Sequence, residues 1–254
     1  MTDKKFISML NRRGFSYGIK GNKIIITHDG DIVFKKLTSL PPNVHFNNSG
    51  EVNLPLLTEL PSGIEFNNKG NIILESLTSL PSGIEFNNKE NINLNLLKEL
   101  PSDANFDNIT GYIWLNSLTN LPPEVHFDNC RYIGLDSLTE LPYGYKFNNP
   151  GSVSLNSITE LPPGVEFNNT GVLKLESIKE IPYPIKFRAE VIYLRSVERI
   201  HPGVEFNIQK LEFRYESKES TRIAAFAHRR LSSSIDGIGT FRLLNVMIKR
   251  GMFI

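Results

Sequence analysis

Leu57–Ser76, LTELPSGIEFNNKGNIILES, decides the fold, because close copies of it tile the chain from about residue 22 to residue 213. Phased on the aromatic that follows the Leu-Pro step, the copies carry Phe46, Phe66, Phe86, Phe106, Phe127, Phe147, Phe167, Phe187 and Phe206, spaced 20, 20, 20, 21, 20, 20, 20 and 19 residues apart. A fixed period of about 20 residues marks a solenoid or array. One such unit cannot bury its apolar side chains alone, so each coil stacks on its neighbours and the core runs the length of the stack.

Two short runs in the unit, Ile64-Glu65-Phe66 and Ile72-Ile73-Leu74, alternate as half-buried strands do, inward, outward, inward. Asn67-Asn68-Lys69-Gly70 joins them as a turn. Leu74, Leu77 and Leu80 then recur every three residues up to Pro81, a spacing that suits a winding, partly 3₁₀ segment. The reading is two parallel β-ladders at about 4.8 Å per coil. Their inward pairs are Val52/Leu54, Ile72/Leu74, Ile92/Leu94, Ile113/Leu115, Ile133/Leu135, Val153/Leu155, Leu173/Leu175, Ile192/Leu194 and Leu211/Phe213.

Leu-Thr-x-Leu-Pro repeated every 20 residues resembles the short bacterial type of leucine-rich repeat found in secreted effectors. The LTxLPxGVxFNNxGxVxL pattern is also similar to leucine-rich-repeat-like arrays of bacteriophages. The resemblance covers about three quarters of the chain and departs in one respect, since the asparagines sit at Asn67-Asn68 and their equivalents instead of after the strand leucine. It implies a mainly β fold: a single solenoid of about ten leucine-rich-repeat-like coils, acting as a scaffold for binding. It carries no catalytic residues to transfer.

The expected organisation is an N-terminal cap over residues 1–21, the solenoid over 22–213 and a C-terminal cap over 214–254. In the first, KKFISMLNRR sets Phe6, Met9 and Leu10 on one side of a short helix ended by Gly14. Ile24–Phe34 is a degenerate zeroth repeat with Ile26 one period before Phe46. After Phe213 the pattern turns helical: Ile223, Ala224, Phe226, Ala227 and Leu231 share one face, and Leu243, Leu244, Met247 and Ile248 another. These two helices form the second cap.

Net charge is +1 but unevenly spread: residues 1–36 carry +5, residues 217–254 carry +5 and the body between them −9. An acidic body argues against repeats that track a phosphate backbone. Cys130 is the only cysteine, which rules out an intramolecular disulfide and suits a reducing compartment. Residues 1–25 lack a signal-peptide core, and no run approaches the roughly 18 apolar residues of a membrane span. The expectation is a soluble, cytoplasmic protein with no membrane association, in the host cytoplasm if phage-encoded. A homodimer, by acidic body against basic cap or through Met252-Phe253-Ile254, fits the same pattern.

No phosphate-binding glycine loop, HExxH, GxSxG or paired-cysteine spacing occurs, so no catalytic residue, metal ligand or cofactor is assigned. The Asn turns are read as stacked amides, because a calcium site wants several carboxylates and only Asp107 and Asp128 supply them. His45 and His126 occupy one repeat position four coils apart, roughly 19 Å, too far to share a metal. His126 is placed on a strand and Cys130 on a turn.

The outward column of the second ladder points to a site. It runs Asn53, Ile73, Asn93, Trp114, Gly134, Ser154, Lys174, Tyr193 and Glu212. Tyr112 and Trp114, the only Trp, fall on one coil, with Tyr132 on the next and Gly134 leaving open space beside Trp114. The same coil holds the 21-residue spacing, with its extra residue in Asp107–Gly111. Large exposed aromatics dominate interface energetics, so Tyr112, Trp114, Tyr132 and Tyr193 are the protein-binding candidates. The function expected is a non-enzymatic protein-binding scaffold that inhibits or sequesters a host intracellular protein. The alternative is a nucleic-acid-binding adaptor working through Arg222, Arg229, Arg230, Arg242, Lys249 and Arg250 of the basic C-terminal helices.

Overall fold

The computed structural model describes residues 1–182, 184–201 and 204–213. The chain divides into two compact units, Met1–Gly134 and Leu135–Ile254. Each is a stretch of β-solenoid, and together they supply about nine turns.

The first unit begins with α1 (Asp3–Arg12), whose N-cap Thr2 accepts the Lys5 N–H and whose end is marked by Gly14 at φ +70°. Phe6 and Leu10 are buried. The Phe6 ring meets Phe34, and Arg13 lies 4.8 Å over the Phe34 ring while bonding the Val33 carbonyl at 2.7 Å. The helix thus closes the apolar end of the stack. After β1 (Tyr17–Lys20), strands follow in pairs, one pair per coil, as β2 (Lys23–Ile26) and β3 (Ile32–Val33), β4 (Val44–Phe46) and β5 (Val52–Asn53), β6 (Glu65–Phe66) and β7 (Ile72–Ile73), β8 (Glu85–Phe86) and β9 (Ile92–Asn93), and the next two coils supply one strand each, β10 (Tyr112–Trp114) and β11 (Tyr132–Gly134). The first ladder is β2-β4-β6-β8 and the second β3-β5-β7-β9-β10-β11, all parallel. The expected zeroth repeat is present, with Ile26 paired to Phe46 and Ile32 to Val52. A feature the repeat pattern did not contain precedes it: β1 pairs antiparallel with β2 and forms the edge of the first ladder.

Two chemical devices close each regular coil. Before the first strand the chain passes through a left-handed residue, Gly63 (φ +72°) and Gly83 (φ +70°), with Asn43 (φ 58°) in the same role. A Cβ makes this conformation costly for most other residues. After the Phe, the two asparagines separate into different columns. Asn67 Nδ2 donates to Asn47 Oδ1 at 3.1 Å, Asn87 to Asn67 at 2.8 Å and Asn108 to Asn87 at 2.9 Å. Asn48, Asn68 and Asn88 are instead fully buried, their Nδ2 groups turned to turn carbonyls such as those of Gly50 and Gly70. Inside these corners the Phe46, Phe66, Phe86 and Phe106 rings stack at 5.3–5.6 Å. The expected 3₁₀ segment shrinks to a single turn, closed by bonds such as Leu57 N–H to Leu54 O and Leu77 N–H to Leu74 O.

The first ladder does not run unbroken, contrary to the sequence reading. In the Phe106 and Phe127 coils the left-handed glycine is replaced by Asp103 and Glu124, neither of which has a positive φ. Those corners close as ordinary turns, Ala104 N–H to Pro101 O and Val125 N–H to Pro122 O. Asn105 keeps only an isolated bridge to Glu85, and residues 125–127 form no strand. His126 is therefore not on a strand. The same two coils also drop the buried Asn: Ile109 and Cys130 fill that space, each with its N–H on the Phe carbonyl three residues back.

The second unit holds β12 (Lys146–Phe147), β13 (Ser152–Ser154), β14 (Glu166–Phe167), β15 (Val172–Lys174), β16 (Glu180–Ile181), β17 (Lys186–Leu194), β18 (Arg199–Ile200) and β19 (Glu205–Phe213). Its ladders are β12-β14-β17 and β13-β15-β17, with β19 on β17. Replacing Asn-Asn by Arg188-Ala189 removes the turn, so one nine-residue strand serves both ladders. The expected C-terminal cap lies outside the described residues.

Asn68→Ala is expected to cost about 1–3 kcal/mol in urea unfolding, because buried turn carbonyls lose their donor. Asn67→Ala, in the half-exposed column, should cost less than about 1 kcal/mol.

Candidate functional site

The candidate site grows out of the interruption just described. The Phe106 coil reaches the second ladder one residue late, and β10 and β11 each extend to three residues where β7 and β9 have two. Pairing of Tyr112 with Tyr132, Ile113 with Ile133 and Trp114 with Gly134 turns Ile113 and Ile133 into the core. By strand alternation Tyr112, Trp114 and Tyr132 then face outward on adjacent coils.

The structure brings these three together as expected from their register. Tyr112 and Trp114 meet at 5.8 Å with their planes at 86°, Tyr112 and Tyr132 at 5.9 Å and 65°, and Trp114 and Tyr132 at 6.5 Å and 51°. The first two are edge-to-face pairs, favoured by the ring quadrupoles and worth about 0.5–1.5 kcal/mol each beyond area burial. Tyr112 is 43% exposed and the other two are half-buried. Arg131 lies 5.9 Å from the Tyr112 ring centroid and bonds the Thr110 carbonyl.

The space expected beside Trp114 is not open. A Cβ on Gly134 would stand 2.4 Å from Asn116 Oδ1 and 3.1 Å from the Tyr132 hydroxyl, so the absence of a side chain there admits the Tyr132 ring and the Asn116 amide. Tyr193 is not part of the cluster. It lies in the second unit between Lys174 and Glu212 in register, with Arg195 at 5.9 Å from its ring centroid.

The coil beneath the aromatics adds polar residues that were not among the candidates. NINLN turns Ile92 and Leu94 inward and leaves Asn91, Asn93 and Asn95 as a row of half-buried amides facing out. Asn91 Oδ1 accepts the Tyr112 N–H at 2.8 Å, Asn93 Oδ1 the Asn95 N–H at 3.2 Å, and Asn95 Oδ1 the Asn116 Nδ2 at 2.9 Å. Gly111 makes the first of these bonds sterically feasible, because a Cβ there would sit 2.5 Å from Asn91 Oδ1. The alternation of three asparagines in NINLN was the available signal.

Other polar groups resolve into scaffold contacts. His45 is buried with Nδ1 2.9 Å from Glu65. The outer row of the second unit alternates Lys146, Glu166, Lys186 and Glu205, with ion pairs at 2.9 Å and 3.4 Å. The Lys146 ammonium, and after it Asn168, hold the Glu166 carboxyl below its usual range. Such exposed pairs are typically worth less than about 1 kcal/mol. Arg222, Arg229, Arg230, Arg242, Lys249 and Arg250 lie outside the described residues.

Cys130 is core, not an accessible turn residue. Burial pushes its thiol up to about 12 from an ordinary 9.0, and the thiolate is the nucleophilic form. The folded protein should therefore resist a thiol-reactive disulfide reagent at pH 8, while the urea-unfolded protein reacts stoichiometrically. Because the folded pKa is raised, this group's contribution to stability is full below pH 9 and is lost as pH rises towards 12. Urea midpoints measured on either side of pH 9, compared with Cys130→Ala, check that sign.

No family model, curated protein or solved structure matches the chain. The leucine-rich-repeat and phage resemblance gains no support from these comparisons. What the structure shows is a tandem-repeat β-solenoid with a period of about 20 residues.

Proposed function

We propose that the chain is a non-enzymatic scaffold that binds a protein partner on the outward face of the second ladder, through Tyr112, Trp114 and Tyr132. One observation carries this reading: three large aromatics gather on that face in the two coils where the regular corners give way. Tyr and Trp are the residues most enriched in binding hot spots, and a patch that is already packed loses little side-chain freedom when a partner covers it. In the setting suggested by resemblance to phage arrays, the partner is a host intracellular protein that the scaffold sequesters or inhibits.

The test is capture from cytosolic lysate at low and high salt by the wild-type protein and by Trp114→Ala, followed by identification of what is retained. A salt-resistant protein partner should be weakened about thirtyfold or more by Trp114→Ala, the loss expected of a hot-spot residue. Tyr112→Ala, which removes the most exposed ring, guards against misfolding as the cause. Equal retention by both variants and the wild type overturns the face as the site. Salt-sensitive nucleic acid retained equally by all three would move function to the basic C-terminal residues.

A further inference from the structure

We infer that the open edge of β1 takes an extended acidic segment as an added strand, with a Glu or Asp opposite Lys20 followed by alternating apolar residues. This site is separate from the aromatic face and does not depend on it.

The hydrogen-bond pattern shows what the edge offers. Among the described residues β1 ends the order of its sheet, paired with β2 alone. The Thr27 N–H donates to Ser16 O at 2.9 Å, while on the other side of β2 the Ile24 N–H donates to Asn43 O and Ile26 O accepts the Asn47 N–H. In an antiparallel pair, residues that exchange backbone bonds alternate with residues that do not. Ser16, Gly18 and Lys20 therefore turn their backbone groups to β2, and Tyr17 and Ile19 turn theirs to the open edge. Ile19 is 61% exposed, Gly18 and Lys20 are exposed, and a Cβ on Gly18 would meet no atom within 4 Å. An edge of unpaired N–H and C=O groups is a template for another strand.

Side chains set the sequence of that strand. Tyr17 and Ile19 stand opposite the buried Ile26 and Ile24, so the core-side face of β1 is apolar. On the other face Lys20 stands opposite Lys23, and like charges directly opposed are unfavourable. Lys23 is 3.9 Å from Glu65, whereas no ion pair is found for Lys20 among the described residues. An antiparallel strand fits with an acid opposite Lys20, β-branched residues opposite Ile19 and Tyr17, and an aromatic in the space beside Gly18. Charge around the edge acts in the same direction. Residues 1–36 carry +5, with Lys4, Lys5, Arg12, Lys35 and Lys36 exposed on α1 and the first coil, so an acidic segment is drawn to this end. A second copy is disfavoured as occupant, because it brings another +5 end to the same place.

The full chain is titrated calorimetrically at low salt with three blocked peptides: Glu-Glu-Val-Phe-Val-Thr, Lys-Lys-Val-Phe-Val-Thr, and the acidic peptide N-methylated at both valines, whose N–H groups would meet the edge. Saturable binding of the first alone is expected, with slowed hydrogen exchange at the Tyr17 and Ile19 amides. Lys20→Glu should weaken the acidic peptide about fivefold or more and let the lysine peptide bind. Ile19→Pro removes an N–H that β2 does not use and should abolish binding. Trp114→Ala should bind the acidic peptide as the wild type does. No saturable heat to millimolar acidic peptide, equal binding of either control peptide, an unchanged preference in Lys20→Glu, or no protection at Tyr17 and Ile19 would each overturn the inference. So would loss of binding in Trp114→Ala, which would put the peptide on the aromatic face, or a dimer in sedimentation that Ile19→Pro dissolves, which would put a second copy on the edge.

Discussion

Each regular coil of this protein bends back on itself within a few residues of a buried Phe, and the corner that does so buries backbone carbonyls. The buried asparagine answers that constraint. Asn68 directs its amide nitrogen at the carbonyls of its own turn and of the coil before it, and Asn48 and Asn88 repeat the arrangement. A buried carbonyl left unpaired costs about 1–3 kcal/mol, a sum that would recur at every coil. In the regular coils the Phe rings stack inside corners built this way.

The two coils that lack the device show what it does. Ile109 and Cys130 fill the corner with apolar volume, and the turn satisfies itself through an N–H to the Phe carbonyl. These coils also lack the left-handed glycine ahead of the Phe, the first ladder lapses there, and the chain reaches the second ladder through a differently shaped corner. Polar side chains that receive the next coil's N–H, Asp31 for Glu51 and Asn91 for Tyr112, give way to aromatic ones at this point. Loss of regularity and gain of a distinctive surface are thus two results of one change in the corner.

The last coils of the second unit relax the corner in the opposite way. Arg188-Ala189-Glu190 has neither Asn nor Gly, and the chain continues straight as one strand, burying Ala189 where the amide would have been. Which outcome a coil adopts follows from the length and composition of the segment between the Phe and the next inward aliphatic residue. With the Asn it is a tight turn, with an apolar plug a different turn, and with a shorter segment no turn.

Period, register and the inward columns were legible in the sequence, because in a stack every residue meets its own equivalent one repeat away. Phe46 pairs with Phe66 and Val52 with Ile72 for no reason beyond the spacing. The same logic placed Tyr112 beside Tyr132. The β1 hairpin was not legible, since it pairs antiparallel to a ladder whose repeats contain no such strand. Nor was the break in the first ladder at the Phe106 and Phe127 coils. The space at Gly134 was misjudged because sequence shows which side chain is missing and not which neighbours move in. The sequence alone determined a stacked solenoid and the residues on its faces, since both follow from period and alternation. Only the tertiary structure decided which amide atoms bond to the neighbouring coil and how the rings tilt, because those depend on contacts between coils about 20 residues apart.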